Sequence, residues 1–158
     1  MKIRPALESD AELLSAVART AKAHWGYARE LLEAWDGELS VTAEQIRAKL
    51  TFVASVEDEI AGFYSLEPHG EAWKLDNLWV LPSFMNRRIG RALLAHALEV
   101  AARSGALEVT VDADPNAAPF YIACGAHRRC EIAAPIPGQP DRVRPQLSFK
   151  PLKNVVCP

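Results

Sequence analysis

The residues around Pro82 constrain this chain most, because the hydrophobic period changes there from that of a strand to that of a helix. Ala72 to Leu81, with Trp73, Leu75, Leu78, Trp79 and Val80, is a β-rich run. Beyond the proline, Ile89, Leu93, Leu94, Ala97, Leu98 and Ala101 share one face of a 3.6-residue period, and Ser104-Gly105 supplies a stop. Leu107, Val109 and Val111 then alternate with Glu108, Thr110 and Asp112, which predicts another strand. Strand, helix and strand in this order imply a right-handed crossover joining a parallel pair.

The flanking sequence builds outward from that unit. Ile3 to Pro5 reads as a short strand, and Ser9-Asp10 opens a helix carrying Leu13, Leu14, Val17, Ala18 and Ala21. Leu31, Leu32 and Trp35 mark a second helix over Ala28 to Trp35, and Thr42-Ala-Glu-Gln45 is a capping box opening a third through Leu50. Phe52 to Val56 and Ile60 to Leu66 precede the 72–81 strand as an antiparallel meander. A short helix over Ala117 to Ala123 and closing strands over Ala126 to Ile132 and Pro145 to Lys150 complete the pattern, with a proline-rich loop between the last two. With 158 residues, 49% of them hydrophobic, one core is affordable and two ordinary domains are not. The expected fold is therefore a single α/β (α+β) domain over residues 1–158. It has a mixed central sheet with an antiparallel meander, one parallel crossover and flanking helices.

A formal net charge of -2 argues against a nucleic-acid binder or a membrane-surface protein, both of which depend on clustered positive excess. No leading apolar region and no membrane-length apolar run is present, so the chain is expected to be cytoplasmic. Cys124, Cys130 and Cys157 lack metal-type spacing, which predicts idle thiols and no metal site.

Arg87, Arg88 and Arg91 sit where the 72–81 strand hands over to the helix. A helix start exposes unpaired N–H groups and about half a unit of positive charge, so cations there need an anion to be comfortable. A solvated helix face is the alternative.

Leu78-Trp79-Val80-Leu81-Pro82 with the arginine turn, Gly90-Arg91-Ala92-Leu93-Leu94, Asn116-Ala117-Ala118-Pro119-Phe120-Tyr121 and Cys124-Gly125-Ala126 together resemble the GCN5-related N-acetyltransferase (GNAT) family. The resemblance runs through nearly the whole chain in element order. It implies an enzyme moving an acetyl group from acetyl-CoA, without a metal, to a primary amine, with a small molecule as the acceptor. The alternatives are a peptide or protein acetyltransferase, and a non-catalytic acyl-CoA sensor or partner-binding module on the same fold. The family's phosphate loop, Q/R-x-x-G-x-G/A, fits in two registers. One, anchored on Pro82 and Ala92-Leu93-Leu94, puts Met85, Arg88 and Gly90 at its three defining positions; the other is the literal string Arg87 to Ala92. In the anchored register Arg88 replaces a glycine and is expected in the first helical turn at negative φ. The resemblance implies that Arg87, Arg88, Ile89, Gly90 and Arg91 bind the pyrophosphate. Leu78, Trp79 and Val80 would offer backbone groups to pantetheine and thioester, with Asn116 and Phe120 also on the cofactor. Asn116 equally suits a turn or helix cap after Asp114-Pro115.

Tyr121 stands where the family commonly places its general acid. Strand alternation puts Asp76 on one face with Lys74, Leu78 and Val80, and Asn77 with Trp79 on the other. Asp76 is thus a candidate base, a substrate anchor or a structural partner of Lys74. His24, Trp25 and Tyr27 follow the first helix, where the family builds its acceptor wall; Trp25 and Tyr27 would equally staple the helices to the core. Glu30, Glu33, Asp36 and Glu38 would favour a cationic acceptor if they faced it. A homodimer, common in the family, would suit the exposed closing strands.

Overall fold

The computed structural model describes residues 1–150. Cys157 therefore lies outside the described residues. The seven strands are β1 (Lys2–Pro5), β2 (Leu50–Val56), β3 (Glu59–Glu67), β4 (Ala72–Val80), β5 (Glu108–Asp112), β6 (His127–Ala133) and β7 (Val143–Phe149), and they form one sheet in the order β1-β2-β3-β4-β5-β7-β6. The helices are α1 (Ala11–Ala23), α2 (Arg29–Ala34), α3 (Asp36–Leu39), α4 (Ala43–Ala48), α5 (Ile89–Arg103) and α6 (Ala118–Ala123). This is the mixed α/β sheet expected, and the crossover through α5 makes β4 and β5 parallel, pairing Ala72, Trp73 and Lys74 with Glu108, Val109 and Thr110.

Two compact units divide the chain, one of residues 1–66 and 77–97, the other of 67–76 and 98 onward. In the first, α1 buries Leu14, Val17, Ala18 and Ala21, and the first three pack in a core with Leu39, Ile46, Val53 and Phe63. Leu13, expected in that stripe, is 57% exposed. Each residue advances a helix by 100°, so the Leu14-Val17-Ala18-Ala21 face leaves Leu13 outside it. Asp10 joins α1 to β1: its carboxylate accepts from Arg4 Nη1 at 2.8 Å, Arg4 Nη2 at 3.2 Å and the Leu7 amide at 2.7 Å. Arg4 pulls the Asp10 pKa below the usual carboxylate value; burial opposes the shift, and the Leu7 amide assists it. The capping box at α4 forms as the spacing predicts, with Gln45 N donating to Thr42 Oγ1 and Thr42 N to Gln45 Oε1, each at 3.1 Å. The helix ends at Ala48, and Leu50 already belongs to β2. Trp35 divides the second predicted helix from the one-turn α3.

Gly62 of β3 lies against β4 so closely that a Cβ there would sit 2.5 Å from the Trp79 carbonyl oxygen. No other residue fits without displacing that backbone. From this strand Pro82–Phe84 makes one 3-10 turn, and α5 begins at Ile89 with Ile89, Leu93, Leu94 and Ala97 buried. Full burial of a leucine stabilises by roughly 1.5–3 kcal/mol, so Leu93 and Leu94 fix the face on which this helix lies.

The second unit pairs β5 with β7 and β7 with β6, both antiparallel. Val109 and Val111 are buried as the alternation predicts, whereas Leu107 is 46% exposed and precedes the strand. The α5 C-terminus closes as expected, with Gly105 at φ +89° and Ala106 N donating to Ala101 O. All of β6 is exposed.

Candidate functional site

The strand-to-helix turn departs from expectation at the backbone. Arg88 was expected inside the helix at negative φ; it adopts φ +63°, and Asn86 adopts φ +62°. Both precede α5, whose first internal bond runs from Ala92 N to Arg88 O. Helix geometry therefore leaves the amides of Ile89, Gly90 and Arg91 ahead of the first intrahelical acceptor. A left-handed residue is one that glycine adopts at no steric cost, so the conformation supports the register in which Arg88 occupies a glycine position. Left-handed residues turn nearby N–H groups away from the path of a regular strand or helix, and such turns form concavities that collect anions. Arg87 lies over the Phe84 ring at 5.2 Å, and Arg87, Arg88 and Arg91 are all exposed. Left-handed backbone and exposed positive charge thus coincide at this turn.

Leu78, Trp79 and Val80 form the last turn of pleat in β4, partly buried, and Leu81 N ties the strand end to Ala61 O at 2.8 Å. Trp79 Nε1 donates to Asn77 Oδ1 at 2.9 Å, and Asn77 Nδ2 donates to Ser65 Oγ at 2.8 Å. Asn77 and Trp79 therefore share a face, as alternation requires. The chain of polar contacts that begins at Asn77 went unnoticed in the sequence, because an Asn within a strand carries no local signal. Tyr64 and His96 give no signal in the sequence because they meet only in the fold: the buried phenol and His96 Nδ1 lie 2.8 Å apart, one from β3 and one from α5.

The aromatic segment after α1 separates into two groups. Tyr27 packs edge-on to Trp35 at 4.9 Å, and Lys22 Nζ stands 5.0 and 4.7 Å from the two ring centroids, which is the stapling role. His24 and Trp25 are exposed, their rings 5.8 Å apart. Of the four carboxylates that follow, Asp36 is paired with Arg19 at 2.6 Å and Glu33 with Arg29 at 3.0 Å. A surface cavity of about 600 Å³ among α1, α2 and α3 is lined by these same two pairs, so it carries no net preference for a cation.

In the second unit Asp76 meets Lys74 Nζ at 3.1 Å, the ion pair that alternation allowed. Asn116 follows β5 in a turn, its amide N and Nδ2 donating to Asp114 Oδ1 at 2.8 and 3.0 Å. Phe120 and Tyr121 lie on α6, their rings 5.2 Å apart, and Tyr121 also meets Phe149 at 6.4 Å. Tyr121 is buried. That burial raises its pKa well above the ordinary phenol value, and the charges of Cys124 and Asp114 add to the effect. It is a protonated hydrogen-bond donor at any physiological pH.

Among the described residues there is no group of three or more His, Cys, Asp or Glu placed to hold a metal, and no helix long and apolar enough to cross a membrane. Residues 12–126 match the acetyltransferase (GNAT) family. Among curated proteins no sequence match is found. Among solved structures, a GCN5-related N-acetyltransferase from Rhodopseudomonas palustris is 26% identical with a TM-score of 0.76, covering 94% of each chain. The PaiA N-acetyltransferase from Thermoplasma acidophilum, in complex with coenzyme A, is 22% identical with a TM-score of 0.77, covering 94% of this chain and 98% of the other. The Escherichia coli ribosomal-protein-S18-alanine N-acetyltransferase is 15% identical with a TM-score of 0.72, covering 99% of both.

Proposed function

Because the chain belongs to the GNAT acetyltransferase family, we propose that it transfers the acetyl group of acetyl-CoA directly to a primary amine of a small molecule. The observation that carries the cosubstrate is the turn before α5, where Asn86 and Arg88 are left-handed and Arg87, Arg88 and Arg91 are exposed. In this reading the CoA pyrophosphate lies on the amides of Ile89, Gly90 and Arg91, with the arginines adding charge-assisted bonds. Backbone groups of Leu78, Trp79 and Val80 receive pantetheine and thioester, and Asn116 and Phe120 contact the same arm. His24 and Trp25 contact the acceptor, and Tyr27 holds their segment in place.

The amine nitrogen attacks the thioester carbonyl, the new C–N bond forms, and the C–S bond breaks as the tetrahedral intermediate collapses. The nitrogen sheds a proton, for which Asp76, through water, is the candidate acceptor. The departing sulfur takes a hydrogen bond from Tyr121. Since burial holds that proton firmly, Tyr121 steadies the thiolate by donating a hydrogen bond while keeping its own proton, and the thiolate takes its proton from solvent on release.

Release of free CoA thiol, followed with a thiol reagent over a panel of amines, tests the reading. Acetyl-CoA-dependent release that falls at least tenfold in Tyr121→Phe, with acetyl-CoA affinity retained, is the expected result. Tight acetyl-CoA binding without turnover on any amine would favour a sensor instead. Acetylated peptides in a mass-spectrometric screen, with no acetylated free amines, would move the acceptor to protein.

A further inference from the structure

Asp114 does more in the fold than begin a turn. Its Oδ1 accepts from both the backbone and the side chain of Asn116, an Asx-type turn in which one carboxylate oxygen holds two donors of one residue. Its other oxygen, Oδ2, stands 3.8 Å from Arg142 Nη2, and the two side chains are only 9% and 5% exposed. The guanidinium is fixed in turn by the connection between β6 and β7. Arg142 Nη1 donates to Ala134 O at 3.0 Å, Ala134 N returns a bond to Arg142 O at 2.9 Å, and Arg142 N donates to Gln139 O at 3.3 Å.

A buried ion pair is poor value as a source of stability, because desolvation consumes most of the Coulomb gain. Its effect here is directional. An amide held by its nitrogen presents its oxygen along one bearing, so the Asp114 carboxylate sets which end of Asn116 faces outward. In the acetyl-CoA reading, Asn116 Oδ1 is the atom that accepts from an amide N–H of the ligand arm.

We infer that Asp114 and Arg142 are positioning residues for the pantetheine contact at Asn116, an inference resting on the acetyl-CoA reading above. Arg142 holds Asp114 in place, and Asp114 orients Asn116. The proline-rich connection that carries Arg142 thereby acquires a part in cosubstrate binding that its irregular sequence does not announce.

Acetyl-CoA titrations by calorimetry test this with Asn116→Ala, Asp114→Ala, and the double variant Asp114→Ala with Arg142→Met. The double variant leaves no buried charge behind, so it keeps the test readable if Asp114→Ala loses stability; melting curves confirm folding. Asn116→Ala should weaken acetyl-CoA by roughly three- to tenfold, the worth of one hydrogen bond. The double variant should lose a similar factor, and combining it with Asn116→Ala should cost nothing further, because the two changes remove one contact. Arg142→Lys, which keeps a cation, should lie closer to the wild type than Arg142→Met. Losses that multiply, or a double variant that binds as the wild type does, would overturn the positioning role while leaving acetyl-CoA binding intact. A wild type that fails to bind acetyl-CoA would overturn the function proposed above and this inference with it.

Discussion

Replacing Arg88 by glycine separates what its backbone does from what its charge does. The residue sits at φ +63°, where an L side chain costs roughly 1–2 kcal/mol through the crowding of Cβ. Glycine removes that cost, but its unfolded chain is freer, which takes back about 0.5–1 kcal/mol. The net is a stabilisation of about 0.5–1 kcal/mol, equivalent to a rise of roughly 1–4 °C in Tm for a domain of this size. Arg88→Ala retains the Cβ and hence the strain, so it should melt near the wild type and well below Arg88→Gly. Affinity should move in the opposite sense: a charge-assisted bond of about 1.5–3 kcal/mol corresponds to a ten- to hundredfold loss of acetyl-CoA binding, equal in Arg88→Gly and Arg88→Ala. Scanning calorimetry and acetyl-CoA titration on the three proteins supply both numbers. If Arg88→Gly melts no higher than Arg88→Ala, the strain argument is wrong; if neither variant weakens acetyl-CoA, the guanidinium is not a phosphate contact.

Three further outcomes are expected. Tyr121 has a raised pKa, so the stability it lends is complete below the ordinary tyrosine value near ~10 and is lost as pH rises beyond it, by at most about 1.4 kcal/mol per pH unit; denaturant melts at pH 8 and pH 11 should show a smaller drop for Tyr121→Phe than for the wild type, and equal drops would refute this. Asp10 has a lowered pKa, so its contribution is complete above the ordinary carboxylate value near ~3.9 and fades as pH falls through the depressed value; Asp10→Asn should flatten the acid limb of stability measured from pH 6 to pH 2. Gly62→Ala should destabilise by about 1–3 kcal/mol through overpacking and weaken acetyl-CoA as well, because the Trp79 carbonyl it displaces belongs to the strand end assigned to the thioester; a variant with native affinity would exclude that backbone from the contact.

The crossover through α5 was readable because Ile89, Leu93, Leu94 and Ala97 report a period that only one packing satisfies. The capping box at Thr42 was readable because its chemistry is local. Contacts distant in sequence were not readable. Nothing near Asp114 in the chain points to Arg142, which arrives through a loop with no period, and Tyr64 and His96 meet only because β3 and α5 do. The candidate site divides along the same line. Arg87, Arg88 and Arg91 stood out through their position at the strand-to-helix turn, whereas the contacts of Asp76 and Tyr27 depended on neighbours, Lys74 and Trp35, that spacing offers only as options.

The left-handed residues before α5 have a bearing on how this turn can change over generations. A phosphate gripped by main-chain N–H groups is gripped by atoms that every residue but proline carries. What such a turn must preserve is a pair of dihedral angles, and an arginine that tolerates φ +63° preserves them as a glycine does. The spelling of the loop can therefore wander while its shape stays put, and a search for its letters will overlook chains that a search for its angles would find.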